Sequence, residues 1–353
     1  MFDVYAQTRY QRLEPIGIGE GMNSAVYRAF DPYLQRELAV KEIDKSRLGN
    51  DFDSYCQEAR AMFAMRDPNV VGIVYVCETL DHVSLALPYF AKGSLQSRIK
   101  DGPLETMQLL KMAQDVLSAA ARIHANRFLH LDFKPSNIFF DDSNRALVGD
   151  FGQSRSLNKG AVSFPAMYKW AMPPEVWDSH YATVESDIYQ LGVLFYRAAN
   201  GEPPYKRQKD AIASDGELLN LIRKGKFPNP KFFLPHVPKR IKSIIRKCIR
   251  PQASERYHSA SELAIAFARV CPSLSWTTSP LGGGAYRWYS VRSECADLEV
   301  NLLQESPSEW KTEVWTSNDG ERRRRGISDY WAKHLSYQAA CDHLTEVFVS
   351  LGQ

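Results

Sequence analysis

The sequence lacks any long apolar run. The stretch that comes nearest, Ile188–Ala199, is broken by Gln190 and Arg197 and falls far short of the ~20 residues a membrane span needs. The first ten residues, Met1 to Tyr10, contain no apolar centre of the kind a secretory leader carries. Six cysteines (Cys56, Cys77, Cys248, Cys271, Cys295, Cys341) are scattered without a C-x-x-C pair. That pattern argues against a disulfide frame or a zinc site and for reduced thiols. Strong charge of one sign is also missing: 44 Lys and Arg against 41 Asp and Glu leave +3, too little to imply a nucleic-acid partner. There is no internal repeat. These absences predict a soluble, cytoplasmic chain with no membrane anchor.

What is present is ordinary globular composition, 44% apolar and 24% charged. At 353 residues the chain exceeds the ~250–300 residues that one hydrophobic core usually serves, so two domains are expected. Residues 10–87 read as strands, including Leu38–Ile43 and Val83–Leu87, interrupted by one helix. That helix opens on Ser54-x-x-Gln57, a capping-box pattern, and sets Tyr55, Ala59, Met62 and Phe63 on one face. From Leu104 to Val270 the period is helical, with helices predicted over Met107–Ile123, Asp187–Ala199 and Ser261–Val270. The stretch from His130 to Gly152 reads instead as loops and short strands.

Residues 272–285, rich in Ser, Thr, Pro and Gly, read as a linker. Beyond it, Tyr286–Arg292, Leu298–Leu303 and Lys311–Thr316 are strand-like and Asn318-Asp319-Gly320 is a turn. A final helix shares Ala340, Leu344, Val347, Phe348 and Leu351 on one face. The expected order is a first domain over 1–271 (small β-rich lobe about 10–87, large helical lobe about 91–271), a linker over 272–285, and a βββα appendage over 286–353. The appendage is expected to bury its apolar face mainly within itself.

The candidate chemistry begins at Gly17, Gly19 and Gly21. Gly19-x-Gly21-x-x-Ser24-x-Val26 suits a phosphate-covering loop, because small residues let backbone N–H groups approach phosphate oxygens. A Gly-rich hairpin turn accounts for it equally well. Lys41, in the apolar run Ala39-Val40-Lys41, needs an anionic partner if it is buried, and Glu58 in the capped helix is the candidate. A lysine on an exposed edge strand is the alternative. His130-Leu131-Asp132-Phe133-Lys134-Pro135-Ser136-Asn137, followed by Asp150-Phe151-Gly152, is far more specific. Phosphoryl transfer requires a carboxylate near the attacking hydroxyl, carboxylate and amide oxygens for Mg²⁺, and a cation near the γ-phosphate. Asp132, Asp150, Asn137 and Lys134 supply those groups in that order.

On these motifs the chain resembles a eukaryotic-type serine/threonine protein kinase over roughly residues 10–270. The resemblance implies an α+β bilobal fold, with a β-rich N-lobe and a helical C-lobe, that uses ATP with Mg²⁺ or Mn²⁺ to phosphorylate protein substrates. It implies that Lys41 binds the α/β-phosphates and pairs with Glu58, and that Asp132 accepts the hydroxyl proton. Lys134 would steady the γ-phosphoryl group, and Asn137 and Asp150 would hold the metal. Gly19, Gly21 and Ser24 would cover the phosphates. Pro88 and Phe90 would contact adenine through their backbones, while Val26, Ala39 and Phe139 sandwich the base. Pro173-Pro174-Glu175 resembles the end of the family's activation segment, Arg256 its ion-pair partner, and Asp187 the brace of the catalytic loop. Met62, His130 and Phe151 would contribute to the apolar spine joining the lobes.

Four departures stand out: Ser24 for a third glycine, Leu131 for the arginine before the catalytic aspartate, Tyr168 for a threonine, and Gln153 after Asp-Phe-Gly. Leu131 cannot grip a phosphate, which predicts activity independent of activation-segment phosphorylation. A pseudokinase scaffold and a small-molecule phosphotransferase of the aminoglycoside-kinase type are the alternatives. From Leu281 to Gln353 there are 8 Lys and Arg against 11 Asp and Glu. The basic run Arg322–Arg325 therefore sits in an acidic segment and reads as a solvated charge run rather than a nucleic-acid site. A partner-binding or autoinhibitory role is expected of the appendage.

Overall fold

The computed structural model describes the chain except for residues 1–7, 17–23, 48–61, 64, 158–159, 164–166, 294, 319–320, 324–329 and 353. The N-lobe is a five-stranded antiparallel sheet of β1 (Gln11–Ile16), β2 (Ser24–Asp31), β3 (Arg36–Asp44), β4 (Tyr75–Glu78) and β5 (His82–Pro88) in the order β1-β2-β3-β5-β4. Strand alternation sends Leu38 and Val40 to one face, where they pack with Ala29 and Ala86. Ala39 and Lys41 go to the other. On that face Lys41 lies between Val26 and Leu85 in register, and Ala39 lies opposite Leu87.

The C-lobe is helical, built on α1 (Thr106–Ala125), α2 (Val184–Asn200), α3 (Glu202–Asp210), α4 (Lys239–Cys248) and α5 (Ala260–Ala268). Every residue of α2 from Ser186 to Asn200 is buried, so this helix is the lobe's axis and not an amphipathic surface helix. Gly192 permits that packing: a Cβ there would meet the Cβ of Cys248 at 2.5 Å. Two short antiparallel pairs, Phe128–Leu129 with Arg155–Ser156 and Ile138–Phe140 with Ala146–Val148, flank and cross the stretch from His130 to Gly152, read from sequence as loops and short strands.

The structure departs from expectation after Val270. Residues 272–285 are not a free linker, because Thr277–Gly282 is a strand paired with Ala285–Ser290. Gly282, Gly283 and Gly284 all have positive φ (89°, 59° and 95°). Their composition reflects the left-handed backbone of a tight hairpin connection, not flexibility. The three expected strands are present as Ala285–Ser290, Asp297–Gln304 and Trp310–Asn318. Thr277–Gly282, Glu321–Arg323 and Ala332–Leu335 join them in one antiparallel sheet. Helix α6 (Tyr337–Ser350) buries Ala340, Leu344, Val347 and Phe348.

Nor does the appendage bury its apolar face mainly within itself. Trp276, Trp288 and Phe348, each 0% exposed, belong to one apolar cluster with the C-lobe helices. Phe348 packs against both tryptophans and against His236 of the C-lobe. Trp288 Nε1 donates to His236 Nδ1 at 2.9 Å, and Thr277 Oγ1 donates to Glu105 at 2.6 Å.

Candidate active site

The short strand pairs bring the 130–137 loop beside Asp150, and α2 holds the loop from below. Asp187, fully buried, accepts from the backbone N–H of His130 (3.0 Å) and Leu131 (2.9 Å) and lies 2.8 Å from His124 Nε2. One turn on, Gln190 accepts from Phe133 N (3.1 Å) and donates to Leu131 O (2.9 Å). These bonds hold Leu131 at φ 64°, a left-handed conformation costing a branched residue roughly 1–2 kcal/mol. The sequence marked Asp187 but missed Gln190. A buried amide three residues after the buried aspartate, on the same helical face, was the available signal.

His130 is a further support. It is fully buried, stacks on Phe133 with centroids 4.4 Å apart and meets Phe151 edge-on at 4.9 Å. Burial pushes its pKa down against the pull of Asp187 and Asp132, so it stands neutral. Its Nε2 is 3.2 Å from Gly149 O, and its Nδ1 accepts from Asp132 N at 3.3 Å. Met62 and Phe151, expected on the same spine, are both buried in the main cluster.

At the centre, Asp132 Oδ2 accepts from Asn137 Nδ2 (2.8 Å) and pairs with Lys134 Nζ (2.8 Å). Burial raises its pKa, with Lys134 opposing. Its Oδ1 meets no donor among the described residues, so one oxygen is held and the other left open. Asn137 also donates to Asp132 O at 2.9 Å. Both its N–H bonds therefore point back to Asp132, which orients Oδ1 the opposite way. Asp150, at φ 58°, pairs with Lys41 at 3.3 Å. Burial raises its pKa, but Lys41 and Lys134 together outweigh that and lower it. The two carboxylates thus differ: Asp132 is the more basic and Asp150 the more firmly ionised.

Above this pair, Val26 and Ala39 are half-buried, Pro88 ends β5 and Phe90 lies two residues beyond it. Phe90 stacks on Phe139 at 5.5 Å, giving the space under β3 an aromatic floor. Gly19, Gly21 and Glu58 lie outside the described residues, and Ser24 is described only as a strand residue of β2. Farther off, Arg256 places all five guanidinium N–H groups. Two go to Glu175 (both 2.8 Å), and the others meet Glu185 O, Arg250 O and Pro251 O.

Residues 10–267 match the protein kinase domain family, and the chain belongs to it. Its relatives include the serine/threonine-protein kinase PrkC of Bacillus subtilis, 29% identical over 72% of this chain. Others are the serine/threonine-protein kinase pkn2 of Myxococcus xanthus (30% over 79%) and the DNA damage-responsive serine/threonine-protein kinase RqkA of Deinococcus radiodurans (28% over 75%). The alignments span only 39%, 34% and 40% of those relatives, respectively. Among the described residues no helix is long and apolar enough to cross a membrane.

Proposed function

We propose that the chain transfers the γ-phosphoryl group of ATP to Ser or Thr hydroxyls of protein substrates. The observation that carries this reading is the division of labour around Asp132. Lys134 and Asn137 hold Oδ2, so Oδ1 is the oxygen left to accept the proton of an incoming hydroxyl, and burial makes that carboxylate more basic. Lys134 lies close enough to steady the transferred group. Asp150 and Asn137 Oδ1 are hard oxygen donors that suit Mg²⁺ or Mn²⁺. A metal bound there would neutralise charge developing on the phosphate oxygens. Lys41 is assigned to the α/β-phosphates, with Gly19, Gly21 and Ser24 above them. The adenine would lie between Val26 and Ala39 on one side and Phe139 on the other, reached by the backbones of Pro88 and Phe90. Glu58 is the proposed second partner of Lys41, and residues 1–271 the catalytic unit.

Activity is proposed not to need a phosphorylated activation segment. Leu131 is fully buried and packs with Leu129, Met167, Val176 and Ala182. Apolar contact therefore tethers the segment where an arginine would otherwise grip a phosphate. Asp132→Asn and Asp150→Asn are each expected to lower phosphoryl transfer by roughly 10²–10⁴-fold with an unchanged circular dichroism spectrum. Transfer from γ-labelled ATP at the unmodified rate in either variant rejects the assignment. Phosphatase-treated protein is expected to keep its initial rate, and a lag removed by preincubation with ATP rejects the second point.

A further inference from the structure

Beside the catalytic loop lies a cluster of cations that phosphoryl transfer does not use. Tyr168 is half-buried, with Lys134 Nζ 6.0 Å from its ring centroid. Burial raises the pKa of its hydroxyl, and the charges of Arg197, Glu202, Lys134 and Asp132 all act on it. Two residues on, Trp170 has Lys169 and Lys209 over its ring at 5.3 and 5.4 Å. The Tyr205 hydroxyl donates to Trp170 O at 2.9 Å, which ties this segment to α3. Arg197 and Lys209 both stand over the Tyr205 ring, at 4.9 and 5.7 Å.

The charges here are unevenly answered. Lys169 pairs with Asp215 at 2.8 Å. Arg197, with its side chain 5% exposed, gives Nε and Nη2 to Glu202 and Nη2 also to Gln96. Its Nη1 meets no acceptor among the described residues. Lys209, half-buried, has no carboxylate within ion-pair distance among them either. Arg197 Nη1 is not among the fully buried atoms without a partner, so it and the Lys209 amine are donors still able to take a carboxylate from outside. Arg197 lies ten residues along α2 from Asp187, about 15 Å. An extended peptide covers that in four or five residues.

We propose that Arg197 and Lys209 form a substrate subsite for a carboxylate, so that the protein selects acidic segments with a Glu or Asp within about five residues of the acceptor hydroxyl. The proposal rests on the kinase reading above. The test is a peptide library in which one Glu, Gln or Lys is moved from five residues before the acceptor to five after it. The wild-type protein is expected to favour Glu over Gln at one or two positions, by roughly fivefold in kcat/KM. Lys209→Glu is expected to shift preference at those positions to Lys, which a general loss of structure would not produce. Arg197→Gln is expected to flatten the preference. Phosphorylation without acid selection by the wild type, or acid selection that survives Lys209→Glu, overturns the subsite alone. If no peptide is phosphorylated, the kinase reading fails and takes the subsite with it.

Discussion

The catalytic loop and the joint between C-lobe and appendage are both buried and both contain polar groups, yet they are finished differently. Under the loop, Asp187 uses both oxygens and Gln190 both ends of its amide. Arg256 uses every N–H it has. His124 Nδ1 is an open atom there. At and beside the joint, Ser275 Oγ, Trp276 Nε1 and Ser290 Oγ have no partner among the described residues. Lys242 is 8% exposed, and its amine is pushed down to about 8 by burial and by neighbouring Arg246 and Lys239. The loop must hold atoms to within fractions of an ångström, and directional bonds do that. The joint has only to stay shut, which area-proportional apolar burial achieves without saturating every polar atom.

Removing the appendage should expose this difference most. Ending the chain at Ser273 uncovers the C-lobe surface now packed on Trp276, Trp288 and Phe348, and each such aromatic is worth about 3–5 kcal/mol when deleted from a core. The shortened chain is expected to be insoluble or to unfold at least about 10 °C earlier, and unaltered melting would show that the catalytic unit stands alone. Asp187→Ala acts at the other region. It strands the N–H groups of His130 and Leu131 and should cost about 3–5 kcal/mol, with transfer lost in whatever remains folded. A variant that melts normally and stays active would deny that the loop depends on these bonds.

The smallest effect concerns pH. Burial, with Lys242 adding to it, lowers the pKa of His236 to about 3 against an ordinary 6.5. The folded state then binds fewer protons than the unfolded state between those values, so stability falls as pH drops from about 6.5 towards 3, by up to about 1.4 kcal/mol per pH unit. Melting at pH 7, 6 and 5 measures the slope. His236→Asn keeps an acceptor for Trp288 but no titrating group, and should flatten it; an equal slope in both proteins would place the acid sensitivity elsewhere.

Reading the sequence reached furthest where chemistry demands adjacency. Asp132, Lys134 and Asn137 lie within six consecutive residues, and Asp150 follows across one strand pair, so their grouping survives translation into three dimensions. Lys41 needed only strand alternation to reach the cleft face, though its described partner proved to be Asp150. Long-range partners were less legible. Gln190 was visible only as a polar residue breaking an apolar run, and the bond from Trp288 to His236 joins residues 52 positions apart.

The sequence by itself determined the grouping of Asp132, Lys134 and Asn137, the main helices and the strands of the small lobe, because short-range periodicity and motif spacing carry that information. Only the tertiary structure decided the fate of residues 272–285 and of the appendage's apolar face. Three consecutive glycines suit a flexible tether and a left-handed hairpin turn alike, and a sheet with a buried face does not state in sequence what covers it. Packing against His236 and the C-lobe helices settled both, since burial is a property of surfaces brought together and not of the segments that carry them.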